Sequence, residues 1–414
     1  MLYAFLISLA VLALLSIVFE EITHLNKAKT TLFFGCISWI TLFMAAGDPS
    51  HAKIVEHQLN ENLLEIATLW LFLMSTMTFV AYLNAKGMIQ IVVSKLFPKS
   101  ISVRMLMIQV ALFSLLLSAI CDNVTATLVS LGLLTTFELP SNIKRRMAVL
   151  IIFAVNSGGV SLITGDVTTL MIFLGHHVNM ADLLLLVIPA AFSVVLLATL
   201  FSFKTNGRVY ANTTTQQVEA IDIVIALIFV CTIILTMVLN ILFAIPPVLT
   251  FLSGLSIMFL VGKTVHTDTE EIRILEYIRQ IEFDTLLFFL GILLLVGMLK
   301  QIGTLDELAQ LYAAHNPDIA NYVTGMGSAL LDNVPLTAAL LKAEPQLTLA
   351  GWLGLTYAVG VGGSLLVIGS AAGIIAMSKV TELTFVSYLK YVPALLLCYS
   401  IGYMLTLMLA RMAS

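Results

Sequence analysis

Apolar segments of close to 20 residues recur from one end of the chain to the other, and short polar stretches separate them. An α-helix needs about 20 mostly apolar residues to cross the hydrocarbon core of a bilayer. The pattern therefore predicts an all-α polytopic membrane protein with about ten transmembrane spans. The predicted spans are residues 2–19, 31–46, 66–84, 148–175, 181–203, 219–243, 247–262, 282–300, 350–378 and 388–410.

Two further apolar segments are interrupted by a polar pair near the middle. They are residues 102–137 with Asp122-Asn123, and residues 319–342 with Asp332-Asn333. Charged groups are costly at membrane depth, and non-helical backbone is tolerated there only inside protein or beside a water-filled cavity. We therefore predict that each segment forms a re-entrant hairpin, in which two short helices meet at a polar tip.

Glycine breaks two of the predicted spans. Residues 148–175 contain Gly158-Gly159, and residues 350–378 contain Gly362-Gly363. Glycine lacks a Cβ atom and readily leaves the helical conformation, which frees backbone carbonyls to bind a cation. We predict that both spans are broken helices.

The order of these elements occurs twice along the chain. Residues 118–124 resemble residues 328–334, which lie 210 positions later, and a glycine pair follows each of them. Five predicted spans separate equivalent elements, and because five is odd the second copy is inverted in the membrane. Inverted repeats with broken helices are typical of secondary transporters. We predict one repeat over residues 1–210 (spans 1–5) and the other over residues 211–414 (spans 6–10).

The distribution of basic residues predicts the orientation. With the N-terminus outside and the spans alternating, 16 of the 20 lysines and arginines fall on the cytoplasmic side. Short cytoplasmic loops of membrane proteins carry such an excess. Both termini are therefore predicted outside. The hairpin at 102–137 would enter from the cytoplasm, and the hairpin at 319–342 from outside.

Composition narrows the class of protein further. Of the 414 residues, 60% are apolar and only 11% are charged, whereas soluble domains carry about 25% charged residues. The basic residues are scattered among loops, so no nucleic-acid partner is expected. The cysteines lie far apart and lack the spacing of a zinc site. No resident cofactor is expected.

The polar tips and the glycine breaks hold the candidate chemistry. A carboxylate at the bilayer centre costs about 2.5–3.5 kcal/mol on insertion scales, which favours a functional role over the alternative that each Asp only caps a helix. Hard cations prefer oxygen ligands. We predict that Asp122, Asn123 and Asp166 bind a transported sodium ion. The candidate cation- and proton-binding residues are Ser118, Asp122, Asn123, Asn156, Asp166, Thr168, Thr169, Ser328, Asp332, Asn333 and Ser364.

The two predicted repeats differ in their acids. The first contains Asp122 and Asp166, and the second contains only Asp332, because Ser370 stands at the position equivalent to Asp166. We therefore expect the main coupling site in the first repeat, where a proton and a sodium ion would compete for the same poorly solvated carboxylates. Replacing Asp122 or Asp166 by Asn is expected to abolish exchange and leave a folded protein.

Five motifs resemble those of the NhaD-type sodium/proton antiporters, and the resemblance extends over nearly the whole chain. The motifs are Phe19-Glu20-Glu21 with Asn26-Lys27, Asp122-Asn123-Val124-Thr125, Gly165-Asp166-Val167-Thr168-Thr169, Asp332-Asn333-Val334-Pro335, and the glycine- and serine-rich segment 362–373. The resemblance implies exchange of Na⁺ or Li⁺ for H⁺ by alternating access in a bacterial inner membrane. It also implies a homodimer whose transport domain moves like an elevator. The chain departs from the family pattern at Ala119, Leu162-Ile163 and Val367.

Two other classes of membrane protein are alternatives to a sodium/proton antiporter. A sodium-coupled symporter of dicarboxylates or other anions belongs to the same superfamily, but neither tip and neither glycine break contains a Lys or Arg to offset an anion. An intramembrane aspartyl protease would need Gly-x-Gly-Asp on one span, whereas this chain has Ile163-Thr164-Gly165-Asp166. The acids at the tips favour a cation as substrate.

Overall fold

The computed structural model describes the chain except for residues 1, 19–24, 89–99, 136, 204, 206, 211–218, 266–276, 280 and 414. The described part consists almost entirely of helices. Those of residues 1–210 are α1 (Leu2–Val18), α2 (Lys27–Ala45), α3 (Pro49–Ala85), α4 (Val103–Ile120), α5 (Asn123–Thr135), α6 (Ser141–Gly159), α7 (Val167–Leu174), α8 (Met180–Leu184) and α9 (Val187–Ser202).

The second part of the chain has a similar order of helices. They are α10 (Ala220–Phe243), α11 (Pro247–Val265), α12 (Phe283–Gln301), α13 (Leu305–Ala314), α14 (Pro317–Gly327), α15 (Asn333–Ala343), α16 (Leu349–Gly362), α17 (Ala371–Lys379), α18 (Phe385–Leu389) and α19 (Val392–Ala413). Two short strands, β1 (Ser100–Ser102) and β2 (Arg208–Tyr210), pair antiparallel.

Seven helical segments of the described residues are long and apolar enough to cross a membrane, and one of them, Met180–Ser202, comprises α8 and α9. They include α4, which has 18 residues and is therefore longer than the short hairpin arm that the sequence predicts. Four shorter apolar helices cover Leu2–Ile17, Asn123–Leu134, Pro247–Gly262 and Leu349–Gly362. The chain is a multi-span membrane protein, as the hydrophobic pattern predicts.

Helix α3 begins much earlier than the predicted span at residues 66–84. The Asp48 side chain caps its N-terminus by accepting from the backbone N–H groups of Ser50 and His51, and Pro49 occupies the first turn. Both features favour a helix start. The polar residues 50–65 therefore extend the apolar helix rather than forming a loop, and α3 reaches 37 residues.

Both predicted glycine breaks are interruptions between helices. Residues 160–166 separate α6 from α7, and residues 363–370 separate α16 from α17. The last residue of each connection caps the next helix: Asp166 accepts from Thr168 N–H, and Ser370 accepts from Gly373 N–H. The breaks thus place a polar side chain at each helix start inside the apolar core.

Glycines allow the backbones of neighbouring helices to touch. Helix α4 packs on α6, and α14 packs on α16. A Cβ atom added at Gly158 would lie 2.1 Å from the carbonyl oxygen of Leu115, and one added at Gly362 would lie 1.9 Å from that of Gly325. No larger residue fits at Gly158 or Gly362 unless these helices separate.

The two parts of the chain also pack against each other. Helix α5 contacts α17, and α15 contacts α7 and α12. Two ion pairs with other helices lie at the C-terminal end of α15: Lys342 pairs with Glu65 of α3, and Glu344, the residue that follows α15, pairs with Lys300 of α12. Helix α15 is therefore held both to the broken helix α7 and to α12.

Candidate functional site

The Asp166 carboxylate lies at the centre of the candidate site. Its residue is 7% exposed, and it follows the break at the start of α7. Its Oδ1 atom accepts from the Thr168 backbone N–H at 2.9 Å and from the Thr168 hydroxyl at 3.0 Å. Burying a charge is costly unless hydrogen bonds or an opposite charge compensate it. Thr168 of α7 thus supplies two hydrogen bonds that partly compensate the buried charge.

The other carboxylate oxygen receives both tip asparagines. Asn123 Nδ2 donates to Asp166 Oδ2 at 2.7 Å, and Asn333 Nδ2 donates to the same atom at 3.1 Å. Asn123 begins α5 and Asn333 begins α15, so the two Asp-Asn segments converge on one acid. Helix α7 contacts α15 directly, which explains how an asparagine 167 positions away in the chain reaches Asp166.

Ser118 and Gly159 hold the amide of Asn123 in place. The Ser118 hydroxyl lies 2.7 Å from Asn123 Oδ1 and 2.7 Å from the carbonyl oxygen of Val155. It has one proton and donates it to one of these acceptors at a time. A Cβ atom added at Gly159 would lie 2.8 Å from Asn123 Oδ1 and 2.9 Å from Asp166 Cβ. Gly159 is thus required for the close approach of Asn123 and Asp166.

Thr169 completes the turn around the break. Its hydroxyl donates to the carbonyl oxygen of Gly159 at 3.1 Å. Thr164 makes a similar bond to the carbonyl oxygen of Ala119 at 2.7 Å. These hydroxyls satisfy backbone acceptors that the broken helix leaves free, which keeps the segment ordered without a regular helix.

Asp122 lies in a different environment from Asp166. It is partly buried, and its two oxygens accept from Thr125, from the backbone N–H at 2.9 Å and from the hydroxyl at 2.8 Å. This is the geometry of a helix cap. The capping alternative considered from the sequence therefore describes how the structure places Asp122, and the carboxylate remains partly accessible.

Asp332 occupies the equivalent tip position and contacts a lysine. Lys27 Nζ lies 3.1 Å from Asp332 Oδ2, and the side chains are 23% and 14% exposed respectively. The ammonium also lies 4.7 Å from the ring centroid of Phe288. Lys27 comes from the start of α2, 305 residues before Asp332. The sequence argument that no basic residue lies within a tip therefore missed a lysine that reaches the tip from another helix.

Asn156 links the two broken spans. Its Nδ2 donates to Ser370 Oγ at 2.9 Å, and the residue is fully buried. Three buried oxygens near this break have no hydrogen-bond partner within the described structure: Asn156 Oδ1, Ser157 Oγ and Ser161 Oγ. Buried polar atoms are usually satisfied. These atoms are therefore additional oxygens suited to a cation, and the sequence analysis did not single out Ser157 or Ser161.

The second-half serines Ser328 and Ser364 both bond to backbone carbonyl oxygens of α16. Ser328 Oγ donates to the carbonyl oxygen of Val359 at 2.8 Å, and Ser364 Oγ donates to that of Val361 at 2.6 Å. The Ser364 carbonyl oxygen accepts from the Tyr388 hydroxyl. Ser328 and Ser364 thus brace the second break, whereas Asn333 is the second-half residue that bonds directly to Asp166.

Comparison with known proteins gives the family. A sequence model of the family described as "Citrate transporter" matches residues 1–352, most of the chain. The chain belongs to the citrate transporter family. The motif segment at Phe19, Glu20 and Glu21 lies within this match but outside the described residues.

Proteins similar in sequence to this member of the citrate transporter family are named for a more specific activity. The chain is 28% identical to the Na⁺/H⁺ antiporter NhaD of Vibrio cholerae, over 98% of this chain and 91% of the relative. It is 29% identical to the Na⁺/H⁺ antiporter NhaD of Alkalimonas amylolytica, over 95% and 88%. It is 27% identical to the sodium/proton antiporter 2 of Arabidopsis thaliana, over 87% and 89%. The resemblance to NhaD-type antiporters is confirmed, and the chain is a transporter rather than an enzyme.

Proposed function

We propose that this chain exchanges Na⁺ or Li⁺ for H⁺ across a membrane. The carrying observation is the buried Asp166 carboxylate, which receives one asparagine from each Asp-Asn segment. Full-length similarity to proteins named Na⁺/H⁺ antiporters supports the same assignment.

The geometry explains how one acid serves both ions. The donors that surround Asp166 are neutral. They offset only part of the cost of burying its negative charge, and a bound proton or cation offsets the rest. The carboxamides of Asn123 and Asn333 can turn to present oxygen in place of N–H, and sodium takes such oxygens as ligands. Because a proton and Na⁺ occupy the same carboxylate, binding of one displaces the other. Asp122, partly accessible, would attract the cation toward Asn123 and Asp166.

The proposed architecture is a pair of inverted repeats at residues 1–210 and 211–414. Equivalent hydrogen bonds support it: Ser118 and Ser328 each bond to a carbonyl of the following broken span. The hydroxyls of Thr127 and Thr337 likewise donate to the backbone carbonyl oxygens of Asn123 and Asn333, at 2.7 and 2.8 Å. The hairpin at 102–137 would open to the cytoplasm and the hairpin at 319–342 to the outside.

The remaining proposals concern movement, assembly and location. We propose alternating access of the elevator type, a homodimer, and a bacterial inner membrane with both termini outside. The resemblance of the motifs supports the first three, and the excess of basic residues in the predicted cytoplasmic loops supports the orientation.

Purified protein in liposomes tests the exchange. An imposed acid-inside gradient, followed with a pH-sensitive dye, should be dissipated by Na⁺ or Li⁺ and not by K⁺. Asp166→Asn should reduce this response to that of protein-free liposomes, because a neutral amide cannot exchange a proton for a cation. Asp222→Asn is the matched control: Asp222 is also buried but bonds to Tyr82 at 2.7 Å, away from the site, and this variant should retain exchange.

A sodium-coupled anion symporter predicts a different outcome. Its liposomes would accumulate labelled citrate when Na⁺ is present and would not release protons on addition of Na⁺ alone. That result would replace the antiporter assignment, whereas Na⁺-driven proton release without citrate uptake would support it.

A further inference from the structure

The Lys27–Asp332 pair is placed where a second transported cation would be expected. Asp332 is the counterpart of Asp122, with the same Asp-Asn-Val sequence 210 positions later. The ammonium of Lys27 lies 3.1 Å from its carboxylate. Both side chains are mostly buried, and Lys27 packs over the ring of Phe288 on α12. The two carboxylates therefore have the same sequence motif and different partners.

A single substitution between the halves explains why the partners differ. Thr125 supplies Asp122 with an N–H and a hydroxyl, at 2.9 and 2.8 Å. The equivalent residue after Asp332 is Pro335, which has neither a backbone N–H nor a hydroxyl. Among the described residues, the bond that Asp332 receives from its own helix is a long one of 3.5 Å from the Val334 N–H. Because its own helix supplies only this weak donor among the described residues, the carboxylate needs a positive charge.

We propose that Lys27 is a tethered counter-ion that fills the cation position at Asp332, so that transported ions bind only at the Asp166 site. An ammonium carries the same single charge as Na⁺ and donates up to three hydrogen bonds. Because it is attached to α2, it stays close to Asp332 at a high effective concentration. A free sodium ion therefore competes poorly for this carboxylate. The inference rests on the proposed sodium exchange.

Lys27 acts as a positioning residue in this arrangement, since it restricts ion binding to one half. Removing its charge leaves Asp332, within the described part of the chain, with the weak Val334 donor in a mostly buried place. The carboxylate must then take up a proton or a cation from solution. At a pH well above the usual range for carboxylic acids and at high Na⁺, it should bind sodium.

Binding of ²²Na⁺ to purified full-length protein, measured by scintillation proximity, tests this. In the wild-type protein we expect one Na⁺ per protomer, and none in Asp166→Asn. Adding Lys27→Met to Asp166→Asn should restore binding of about one Na⁺ per protomer. Adding Asp332→Asn to that double variant should remove it again. Lys27→Arg in the Asp166→Asn background is the matched control and should bind none, because the charge remains.

Two outcomes would overturn the proposal. One is a Lys27→Met/Asp166→Asn protein that binds no Na⁺ although its gel-filtration profile and thermal midpoint match those of Asp166→Asn. The other is sodium bound in Asp166→Asn with Lys27 intact and lost on adding Asp332→Asn, which would make Asp332 an open site. Failure of the exchange assignment is distinguishable, because it would appear as wild-type liposomes without Na⁺/H⁺ exchange.

The proposal can also be tested if the variant Lys27→Met/Asp166→Asn fails to fold. The neutral pair Lys27→Met/Asp332→Asn removes both charges together, so neither is left buried without a partner. In the otherwise wild-type protein it should bind one Na⁺ per protomer, whereas Lys27→Met alone should bind two. Equal stoichiometry in these two variants would contradict the proposal.

Discussion

The two Asp-Asn tips have the same residues, and their surroundings give them different tasks. In the first, Thr125 holds Asp122 and the amide of Asn123 reaches Asp166. In the second, Lys27 holds Asp332 and the amide of Asn333 reaches the same Asp166. The asparagines are thus used alike and the aspartates differently. A repeated motif therefore does not imply a repeated ion site. Which group compensates the aspartate charge depends on the residue three positions later, Thr125 or Pro335, and on whether another helix supplies a cation such as Lys27.

The shared use of the asparagines can be tested most directly at Asn333. Asn333→Ala removes the carboxamide that is proposed to turn its oxygen toward the bound Na⁺, and a bond of this kind between a charged and a polar group contributes about 1.5–3 kcal/mol. We expect the sodium concentration for half-maximal exchange to rise roughly 10- to 100-fold. Asn321→Ala is the control, since Asn321 is equally buried but bonds to the Gly351 carbonyl. Equal effects of both variants would mean that Asn333 acts only on stability.

The different partners of Asp122 and Asp332 should affect the free energy of unfolding differently. Lys27→Met leaves Asp332 without its partner, and because the pair is mostly but not wholly buried we expect a cost on the order of 2 kcal/mol, between the values for exposed and buried pairs. Adding Pro335→Thr supplies the donors that Thr125 gives to Asp122, and it should recover part of the lost thermal midpoint in detergent.

Pro335→Thr alone is the control for this comparison. It should leave the midpoint nearly unchanged, since Lys27 already compensates Asp332. If Pro335→Thr fails to soften the effect of Lys27→Met, the absent donors do not explain why Asp332 needs a lysine.

A smaller effect is expected at Asp122. Asparagine is also a good N-cap, so Asp122→Asn keeps the cap of α5 and removes only the charge. The carboxylate is partly accessible, and its attraction for a cation should contribute about 1 kcal/mol, which corresponds to a roughly fivefold higher half-saturating sodium concentration. The sequence alone predicts that Asp122→Asn abolishes exchange. Because the structure places Asp122 and Asp166 in different environments, we expect instead a much smaller effect from Asp122→Asn than from Asp166→Asn. Complete loss of exchange would instead place Asp122 in direct contact with the ion.

The weakest effect should come from the C-terminal end of α15. Glu65→Gln removes the ion pair between Glu65 and Lys342. The Glu65 side chain is 59% exposed. Exposed pairs contribute about 0–1 kcal/mol and are screened by salt. The thermal midpoint should fall by a few degrees at low ionic strength and by nothing measurable in 1 M KCl. A loss that persists in high salt would show that Glu65 supports α15 by packing.

Much of this site could be predicted from local sequence. The glycine pairs and the acid seven residues after Gly159 are local signals, and they located the breaks and Asp166. Lys27 could not be found in this way, because its contact with Asp332 joins residues 305 positions apart and lysines near helix starts are common at membrane edges. The bond from Asn333 to Asp166 depends on how α15 packs on α7, which no spacing within one repeat reveals.

The fold shows the same division. The hydrophobic pattern predicted where apolar helices occur, but it set the start of α3 too late, since the helix continues through polar residues that a hydropathy window excludes. It also predicted a short arm where α4 has 18 residues. Apolar length signals burial in lipid, whereas helix length is also set by caps such as Asp48.

The glycine contacts at Gly158 and Gly362 have a mechanical consequence. Where carbonyl oxygens lie within 2.1 Å of the space for a side chain, two helices interlock and cannot slide without first separating. In the proposed elevator movement, the pairs α4–α6 and α14–α16 would therefore each move as one rigid unit. If α15 moves relative to α12 in that movement, the ion pair between Lys300 of α12 and Glu344 at the end of α15 has to break and re-form.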